Sequence, residues 1–243
     1  MGLVLAVLGN NSVQAQEPRL STGIEPPESV LFVGNSFTFY NNAIYTHLRK
    51  LLVAEDASNR QKIFLKSMTT SGAMLSDHSD GLKQLLASRE WDIVVLQGQS
   101  REPIDDNTAA GFQSTARVYS EAIRSRGAEP VLFMTWAYAD QPEMTTQLAN
   151  KFRRLGKELD VMVIPVGLAF ERAIENIPGV VLHDPDTKHP SLEGTYLAAA
   201  VFYASLYGKS PVGLDYNAGL DEKIARQLRQ AAWQTVIEYY PVK

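Results

Sequence analysis

The sequence predicts an α/β protein, a three-layer α/β/α sandwich in which helices cover both faces of a five-stranded parallel sheet. Short apolar runs recur along the chain, and segments with helical spacing lie between them, an alternation typical of parallel sheets. Each run is too short and too continuously apolar to form an amphipathic helix, as expected for strands buried on both faces. The predicted strands cover residues 30–33, 63–65, 93–96, 131–134 and 161–166.

Helical spacing is clearest between residues 107 and 126 and again near the end of the chain. Gly127 supplies a C-terminal stop for the first of these helices, and Asp221 and Glu222 lie favourably at the positive end of the second. We expect the last helix to pack on the sheet. The apolar faces consist of Phe112, Ala116, Tyr119 and Ile123 in the first helix and of Leu220, Ile224, Leu228, Ala231 and Thr235 in the last.

The composition narrows the class of protein. The 243 residues are 45% hydrophobic and 21% charged, and no apolar run approaches the length of a membrane-spanning helix. The 23 Lys and Arg residues are scattered and are outnumbered by 27 Asp and Glu, which gives a formal charge of −4 and argues against nucleic-acid binding. Because the chain contains no Cys, disulfides, thiolate catalysis and Cys-ligated zinc are excluded.

The N-terminal segment resembles the end of a signal peptide. Residues 3–8 form an apolar run, residues 9–12 are polar, and Val13, Gln14 and Ala15 form a small-residue pattern that can precede a cleavage site. We therefore expect a signal peptide over residues 1–15, a linker over residues 16–28, one domain over residues 29–243, and a secreted or periplasmic protein. An ordinary apolar tail is the alternative, because no Lys or Arg precedes Arg19.

A serine directly follows the first predicted strand. The strand ends in Gly34, Asn35 and Ser36, where the glycine permits a tight turn and the hydroxyl lies just past the end of the strand. Ligands of parallel α/β sheets bind beyond the carboxyl ends of the strands, so Ser36 is a candidate nucleophile. A helix N-cap is the alternative role for a serine at such a position.

A serine nucleophile needs a base, and histidine is the usual one because its unperturbed pKa lies near neutrality. Of the four histidines, His47 falls inside a predicted helix and His78 in a polar loop that reads as a solvated turn. His183 and His189 flank an acidic loop, and His189 immediately precedes Pro190 and an apolar helix. We therefore favour His189 as the base.

Asp186 stands three residues before His189, a spacing that lets a carboxylate in a loop reach the far imidazole nitrogen. Two alternatives remain open for this loop. Asp184 and Asp186 can be turn residues around Pro185, or His183, Asp184, Asp186 and His189 can ligate a divalent metal. The metal hypothesis requires two histidines six residues apart to converge across a proline.

These segments, Gly34 to Ser36 and Asp186 to Pro190, resemble the SGNH, or GDSL-type, hydrolases. In that family the serine follows the first strand and the Asp and His lie three apart before the final helices. The resemblance implies a flavodoxin-like topology and a cofactor-independent serine esterase in which Ser36, His189 and Asp186 are nucleophile, base and orienting acid. It also implies that the backbone N–H groups of Ser36 and Gly72 bind the oxyanion, since Gly72 follows the second strand.

The chain departs from the family pattern at two places. Asn35 stands where the family usually has aspartate, which keeps an acceptor oxygen and loses the charge. The family's third block reads Gly, any residue, Asn, whereas this chain has Gln97, Gly98, Gln99 and Ser100, with Ser100 at the Asn position. The side-chain amide of Gln97 or of Gln99 offers the same donor chemistry as the missing asparagine.

Further residues at the same sheet edge complete the predicted site. We expect Asn35, Ser100, Arg101, Trp136 and Tyr138 to line the substrate pocket, although packing roles for the aromatic residues and neutralisation of Glu102 by Arg101 are alternatives. The predicted function is hydrolysis of a small-molecule or carbohydrate ester. The alternative from another class is an inert flavodoxin-like module that binds a glycan or small ligand through Trp136 and Tyr138.

Overall fold

A computed structural model describes residues 22–23 and 26–240 of the chain. The predicted signal peptide over residues 1–15 lies outside the described residues, as do most residues of the predicted linker. The predicted boundaries of the domain therefore stay predictions.

A five-stranded sheet lies at the centre of the fold, and every adjacent pair of its strands is parallel. The strand order is β2-β1-β3-β4-β5, so the chain moves from β1 to one edge and then crosses back to build the other side. Right-handed crossovers in this order place helices on both faces. The strands are β1 (Ser29–Gly34), β2 (Phe64–Thr69), β3 (Ile93–Leu96), β4 (Glu129–Phe133) and β5 (Met162–Ile164).

The predicted fold class is confirmed. Strand β3 has its predicted bounds, the ends of β1 and β4 differ from theirs by one or two residues, and β2 and β5 differ for structural reasons. The prediction of residues 63–65 missed most of β2 because this edge strand exposes alternate residues: Phe64 is 38% exposed, whereas Leu65 is buried. β5 is shorter than predicted because Val166 already begins a helix.

Helices form the two outer layers, with α2, α7, α8 and α9 in one layer and α4, α5 and α6 in the other. Phe202 of α8 packs against Phe32 of β1 and Phe133 of β4, with ring centroids 5.3 and 5.0 Å apart. The helices are α1 (Ser36–Phe39), α2 (Ile44–Glu55), α3 (Asn59–Lys62), α4 (Ser79–Ser88), α5 (Ala109–Arg124), α6 (Met144–Leu159), α7 (Val166–Asn176), α8 (Leu192–Tyr207) and α9 (Glu222–Tyr239).

The last helix does not pack on the sheet as expected. Helix α9 lies mainly against α8 and α7, because the uniformly apolar α8 already covers the sheet and buries residues around its whole circumference. Within the described part of the chain, no helix is both long and apolar enough to cross a membrane.

The strand register aligns the loops that carry the predicted site. Val33 of β1 pairs with Met68 of β2 and with Leu96 of β3, so these three strands end side by side. The chain leaves this edge at the turn before Ser36, at the loop containing Gly72 and at the loop from Gln97 to Glu102. Residues far apart in sequence are thereby brought to one edge of the sheet.

Candidate active site

The side chains of Ser36, His189 and Asp186 form one hydrogen-bonded line. The Oγ of Ser36 lies 2.8 Å from Nε2 of His189, although the two residues are 153 positions apart in the chain. On the other side of the ring, Nδ1 of His189 lies 2.5 Å from Oδ2 of Asp186. Because an ionised carboxylate only accepts, Nδ1 carries the proton and Nε2 is free to accept from the serine hydroxyl.

The carboxylate of Asp186 is held by three donors. Besides the imidazole, the backbone N–H groups of Lys188 and His189 each donate to its Oδ1 at 2.9 Å. The hydrogen bond from the His189 side chain and, to a smaller extent, the two backbone bonds lower the pKa of Asp186 to about 2. The carboxyl group is therefore ionised at neutral pH. In the described chain, Asp184 contributes backbone groups to the turn, and no hydrogen bond to its carboxylate is found.

The turn before the nucleophile is stabilised by Asn35, which is the N-cap of the short helix α1. Its Oδ1 accepts a hydrogen bond from the backbone N–H of Phe37 at 3.2 Å, so the N-cap role considered for Ser36 belongs to its neighbour. Its Nδ2 donates to the backbone carbonyls of Ala73 at 3.0 Å and Gly98 at 3.3 Å. Asn35 thus connects the loops that follow β1, β2 and β3.

Gln97 occupies the core and not the cleft, so its predicted role as an oxyanion donor is wrong. Its side chain is fully buried. Both amide hydrogens are used, because Nε2 donates to Oδ1 of Asn35 at 2.7 Å and to the carbonyl of Gly98 at 2.6 Å. Its Oε1 accepts from the backbone N–H of Asn35 and from the hydroxyl of Thr38. A Cβ at Gly34 would lie 2.2 Å from this Oε1, which explains the glycine there.

The backbone donors predicted for the oxyanion lie at the cleft. Ser36 and Gly72 both line a cavity of about 200 Å³ together with His189. Ser36 is the first residue of α1, where backbone N–H groups have no partner inside the helix. Gly72 has a φ of +70°, which a residue with a Cβ adopts only with strain. Among the described residues, no hydrogen bond uses the N–H of either.

Most of the predicted pocket residues lie at this cleft. Asn35, Ser100 and Tyr138 line it, and so does Gln99, which was predicted as an oxyanion donor. Three further lining residues were not predicted: Phe37, Ser71 and Lys188. The amide Nε2 of Gln99 donates to Oγ of Ser100 at 3.1 Å, and this Oγ lies 2.6 Å from the hydroxyl of Tyr138. Polar groups from the loops after β3 and β4 therefore line one side of the cleft.

Two predicted pocket residues lie elsewhere. Trp136 is fully buried behind the cleft, stacked between Phe37 and Phe170 at 4.6 and 4.4 Å, and its indole N–H donates to the carbonyl of Lys188. Arg101 is turned away from the cavity and donates to Oε1 of Gln141.

Arg101 forms no ion pair with Glu102 in the described structure, so it does not neutralise that residue. Glu102 points inward and accepts from the backbone N–H groups of Leu75 and Gln99. Burial raises the pKa of its carboxyl.

The other histidines have structural roles. Nε2 of His183 lies 2.9 Å from the carbonyl oxygen of Ala137, while the ring nitrogens of His47 contact Tyr216 and the carbonyl of Asn41. His78 is only 4% exposed, so the expected solvated turn is wrong there, and burial lowers its pKa. Over residues 22–23 and 26–240, no group of three or more His, Asp or Glu side chains is arranged to hold a metal.

Tyr40 and Asn41 support the imidazole and were not predicted. The ring of Tyr40 stacks on His189 with centroids 4.2 Å apart and an interplanar angle of 9°. Nδ2 of Asn41 donates to the carbonyl of Pro190 at 2.8 Å and to the hydroxyl of Thr195 at 3.0 Å. Residues 41–43 all have positive φ, between 50° and 68°, and the paired asparagines are a sequence signal for this left-handed backbone.

Comparison of the sequence with protein-family models and with curated proteins gives no match. Comparison with solved structures does. A DUF4886 family protein from Bacteroides uniformis is 20% identical, and the match covers 88% of this chain and 96% of that one at a TM-score of 0.69. A candidate SGNH hydrolase from Slackia heliotrinireducens is 26% identical over 73% and 97% of the two chains, at 0.61. A catalytic variant of an acetylxylan esterase from Geobacillus stearothermophilus is 15% identical over 75% and 95%, at 0.62.

The sheet order and the hydrogen-bonded serine, histidine and aspartate define a three-layer α/β/α protein with a site like that of a serine hydrolase. The fold of this chain is the fold of the SGNH, or GDSL-type, hydrolases, as the resemblance in the sequence predicts.

Proposed function

We propose that this protein is a carboxylic ester hydrolase that forms an acyl-enzyme on Ser36. The observation that carries this proposal is the line of contacts from Ser36 Oγ to His189 at 2.8 Å and from His189 to Asp186 at 2.5 Å. A hydroxyl becomes a useful nucleophile when a base is positioned to take its proton and a third group orients that base.

In the first half-reaction, Oγ of Ser36 attacks the ester carbonyl carbon while Nε2 of His189 takes the hydroxyl proton. The carboxylate of Asp186 holds the ring and stabilises the imidazolium that forms. The tetrahedral intermediate places a negative charge on the former carbonyl oxygen, to which the backbone N–H groups of Ser36 and Gly72 donate. When the intermediate collapses, the imidazolium gives its proton to the departing alcohol and the acyl group stays on Ser36.

In the second half-reaction, water repeats these steps. His189 takes a proton from the water as its oxygen attacks the acyl carbon, and returns that proton to Oγ of Ser36 when the acid leaves. The reaction consumes one water and needs no metal or organic cofactor. A larger cavity, of about 320 Å³, lies between α6, α7 and α9, but its lining contains no serine or histidine.

The substrate we propose is an ester of a short acyl group, acetyl above all, on a carbohydrate or another small polar alcohol. The cavity at Ser36 measures about 200 Å³, below the roughly 300–1,000 Å³ of sites for larger ligands. The fold similarity to an acetylxylan esterase supports this proposal. Two structures of that esterase are catalytic variants, one with a serine and the other with a histidine replaced by alanine.

The inert glycan-binding alternative loses its main support, because the ring of Trp136 is fully buried and offers no stacking surface. The two functions are separated by reaction with a fluorophosphonate probe. The parent protein and Asp184→Ala should be labelled, whereas Ser36→Ala should not. A folded parent protein that resists the probe and hydrolyses no ester would refute the proposed activity.

The acyl preference is tested with nitrophenyl esters from acetate to octanoate beside acetylated sugars. We expect kcat/KM to be highest for acetate and at least about tenfold lower for octanoate, since a small polar cleft gains little from added methylenes. A kcat/KM that rises with chain length would contradict the short-acyl proposal and leave the hydrolase proposal intact.

Export of the protein is also proposed, on the pattern of residues 3–15 alone. N-terminal sequencing of protein from its native host should find a mature chain that starts near Gln16. Cytoplasmic protein that retains Met1 would contradict this proposal.

A further inference from the structure

The chain lacks the side-chain amide that the resemblance leads one to expect as a third oxyanion donor. Gln97 cannot replace it, since both hydrogens of its amide are already donated inside the core. The replacement must therefore come from a residue with a proton still available and a position on the cleft wall. In the described structure, three polar side chains after β3 and β4 meet the second condition: Gln99, Ser100 and Tyr138.

These three residues form a short chain of hydrogen bonds. Gln99 Nε2 donates to the hydroxyl oxygen of Ser100 at 3.1 Å, and the hydroxyl oxygens of Ser100 and Tyr138 are 2.6 Å apart. Ser100 is 4% exposed and Tyr138 is 6% exposed, so bulk water has little access to either. Both residues line the same cavity as Ser36, Gly72 and His189.

The hydroxyl pair retains one hydrogen that it can donate to a ligand. Each hydroxyl carries one hydrogen, and the single contact between Ser100 and Tyr138 uses one of the two. Among the hydrogen bonds of the described residues, none uses the second hydrogen, whichever hydroxyl carries it. Burial of a hydrogen-bond donor without an acceptor costs free energy. A donor of this kind in the wall of a cleft therefore favours a ligand that accepts its hydrogen bond.

We propose that the Ser100–Tyr138 hydroxyl pair is the side-chain donor of the oxyanion hole and takes the place of the family's asparagine. This proposal rests on the ester hydrolase function proposed above. The remaining hydroxyl hydrogen bonds to the negatively charged oxygen of the tetrahedral intermediate, and no proton is transferred in this contact. Gln99 acts as a positioning residue, because its amide holds the oxygen of Ser100 and turns the pair toward the cleft.

The test uses Tyr138→Phe and Ser100→Ala, singly and together, with nitrophenyl acetate as substrate. Loss of one oxyanion donor typically lowers kcat by about 100- to 1,000-fold, and partial replacement by the other hydroxyl leads us to expect about 10- to 100-fold in the more damaging single variant. KM should stay within about threefold, because the contact forms mainly in the transition state. The double variant should fall further, toward the full loss of about 100- to 1,000-fold, because no hydroxyl then remains to replace the lost donor.

A second readout isolates the tetrahedral state. A small alkylboronic acid adds to Ser36 Oγ as a tetrahedral adduct, so its inhibition constant should rise in the variants by about the factor that kcat/KM falls. Ser100→Thr and Ser100→Val form a matched pair that differs in the hydroxyl alone, so Thr should retain much more activity than Val even if the added methyl group reduces stability. Ser120→Ala and Tyr239→Phe are controls, since each removes a buried hydroxyl without a partner away from the cleft.

Each outcome decides between the proposals. If the parent hydrolyses the ester, Ser36→Ala does not, and both single variants keep kcat/KM within about threefold, the donor proposal is overturned and the hydrolase function stands. A rise in KM with unchanged kcat would equally overturn it, because the pair would then bind the ground state. If the parent neither hydrolyses esters nor reacts with the fluorophosphonate, the function fails and the donor proposal fails with it.

Discussion

Replacement of Asn35 by aspartate tests the connection between the three loops of the site. The change keeps the shape and the acceptor oxygen, which receives hydrogen bonds from Phe37 and Gln97. It removes the two donated bonds to the carbonyls of Ala73 and Gly98 and places a carboxylate oxygen about where the amide nitrogen stood, 3.0 and 3.3 Å from those oxygens. The family's usual residue is therefore unsuited to this chain.

The cost follows from the partners that remain. The carbonyl of Gly98 keeps its hydrogen bond from Gln97, so loss of the bond from Asn35 there costs about 1 kcal/mol of stability. The carbonyl of Ala73 loses its described partner, which costs about 1–3 kcal/mol of stability. We expect Asn35→Asp to lower the free energy of unfolding by about 2–4 kcal/mol at pH 7.5. Activity should fall as well, because the turn at Ser36 and the loop at Gly72 lose their common bridge.

The loss of stability in Asn35→Asp should depend on pH in a definite direction. Burial and two facing carbonyls raise the pKa of the new carboxyl in the folded protein above its value of about 3.9 in the unfolded chain. The penalty is absent well below the unfolded pKa, grows as pH rises toward the folded pKa, and is constant above it. The deficit relative to the parent should therefore be smaller at pH 5 than at pH 7.5.

Urea unfolding followed by tryptophan fluorescence measures this deficit, and ester hydrolysis measures the activity. Asn176→Asp is the matched control, because it makes the same change in charge at an exposed amide that donates to the carbonyl of Arg172. Its unfolding free energy should change by less than about 1 kcal/mol. An Asn35→Asp variant as stable as the parent at pH 7.5, or a deficit that does not shrink at pH 5, would refute the role of the amide.

Three further predictions concern the triad and the core beneath it. Asp186→Ala should lower kcat by about 10- to 1,000-fold, whereas the kcat of Asp184→Ala should stay within about twofold of the parent. Steady-state kinetics in which Asp184→Ala is the less active variant would show that Asp184 is the orienting acid. Gly34→Ala should reduce the melting temperature by several degrees, because its Cβ would meet Gln97 at 2.2 Å, whereas Gly111→Ala, in a helix with no atom within 4 Å, should leave it unchanged or raise it. Because the pKa of Asp186 is lowered to about 2, its contribution to stability is present above about pH 4 and is lost as pH falls toward 2, so Asp186→Asn should show a shallower loss of stability in that range in acid unfolding.

The sequence predicts the parts of this fold that depend on local pattern. Strands buried on both faces, such as β3, are visible as continuous apolar runs, whereas the edge strand β2 alternates exposed and buried residues and shows only its apolar start. The spacing of Asp186 and His189 identifies the acidic loop, and the position of Ser36 after a strand identifies the other half of the site.

The local sequence does not predict which way individual side chains point. Gln97 and Gln99 have the same chemistry and lie two residues apart, yet one fills the core and the other lines the cleft. The burial of Trp136 likewise follows from two stacked rings contributed by distant segments. The polar sequence around His78 predicts an exposed loop, whereas the side chain is buried beneath the end of the first strand.

The hydrogen bonds of Asn41 affect the order in which the fold and the proposed active site form. They join the segment after the nucleophile helix to Pro190 and Thr195, residues that lie 149 and 154 positions further along the chain. Contacts between such distant residues form late, since closing a long loop costs entropy before the contact compensates for it. The sheet strands can therefore pair while the imidazole is still unconstrained. In a refolding experiment, ester hydrolysis should reappear with the slowest phase, after the far-ultraviolet signal of the helices has returned, and a ribosome-bound chain that ends before α8 should be inactive.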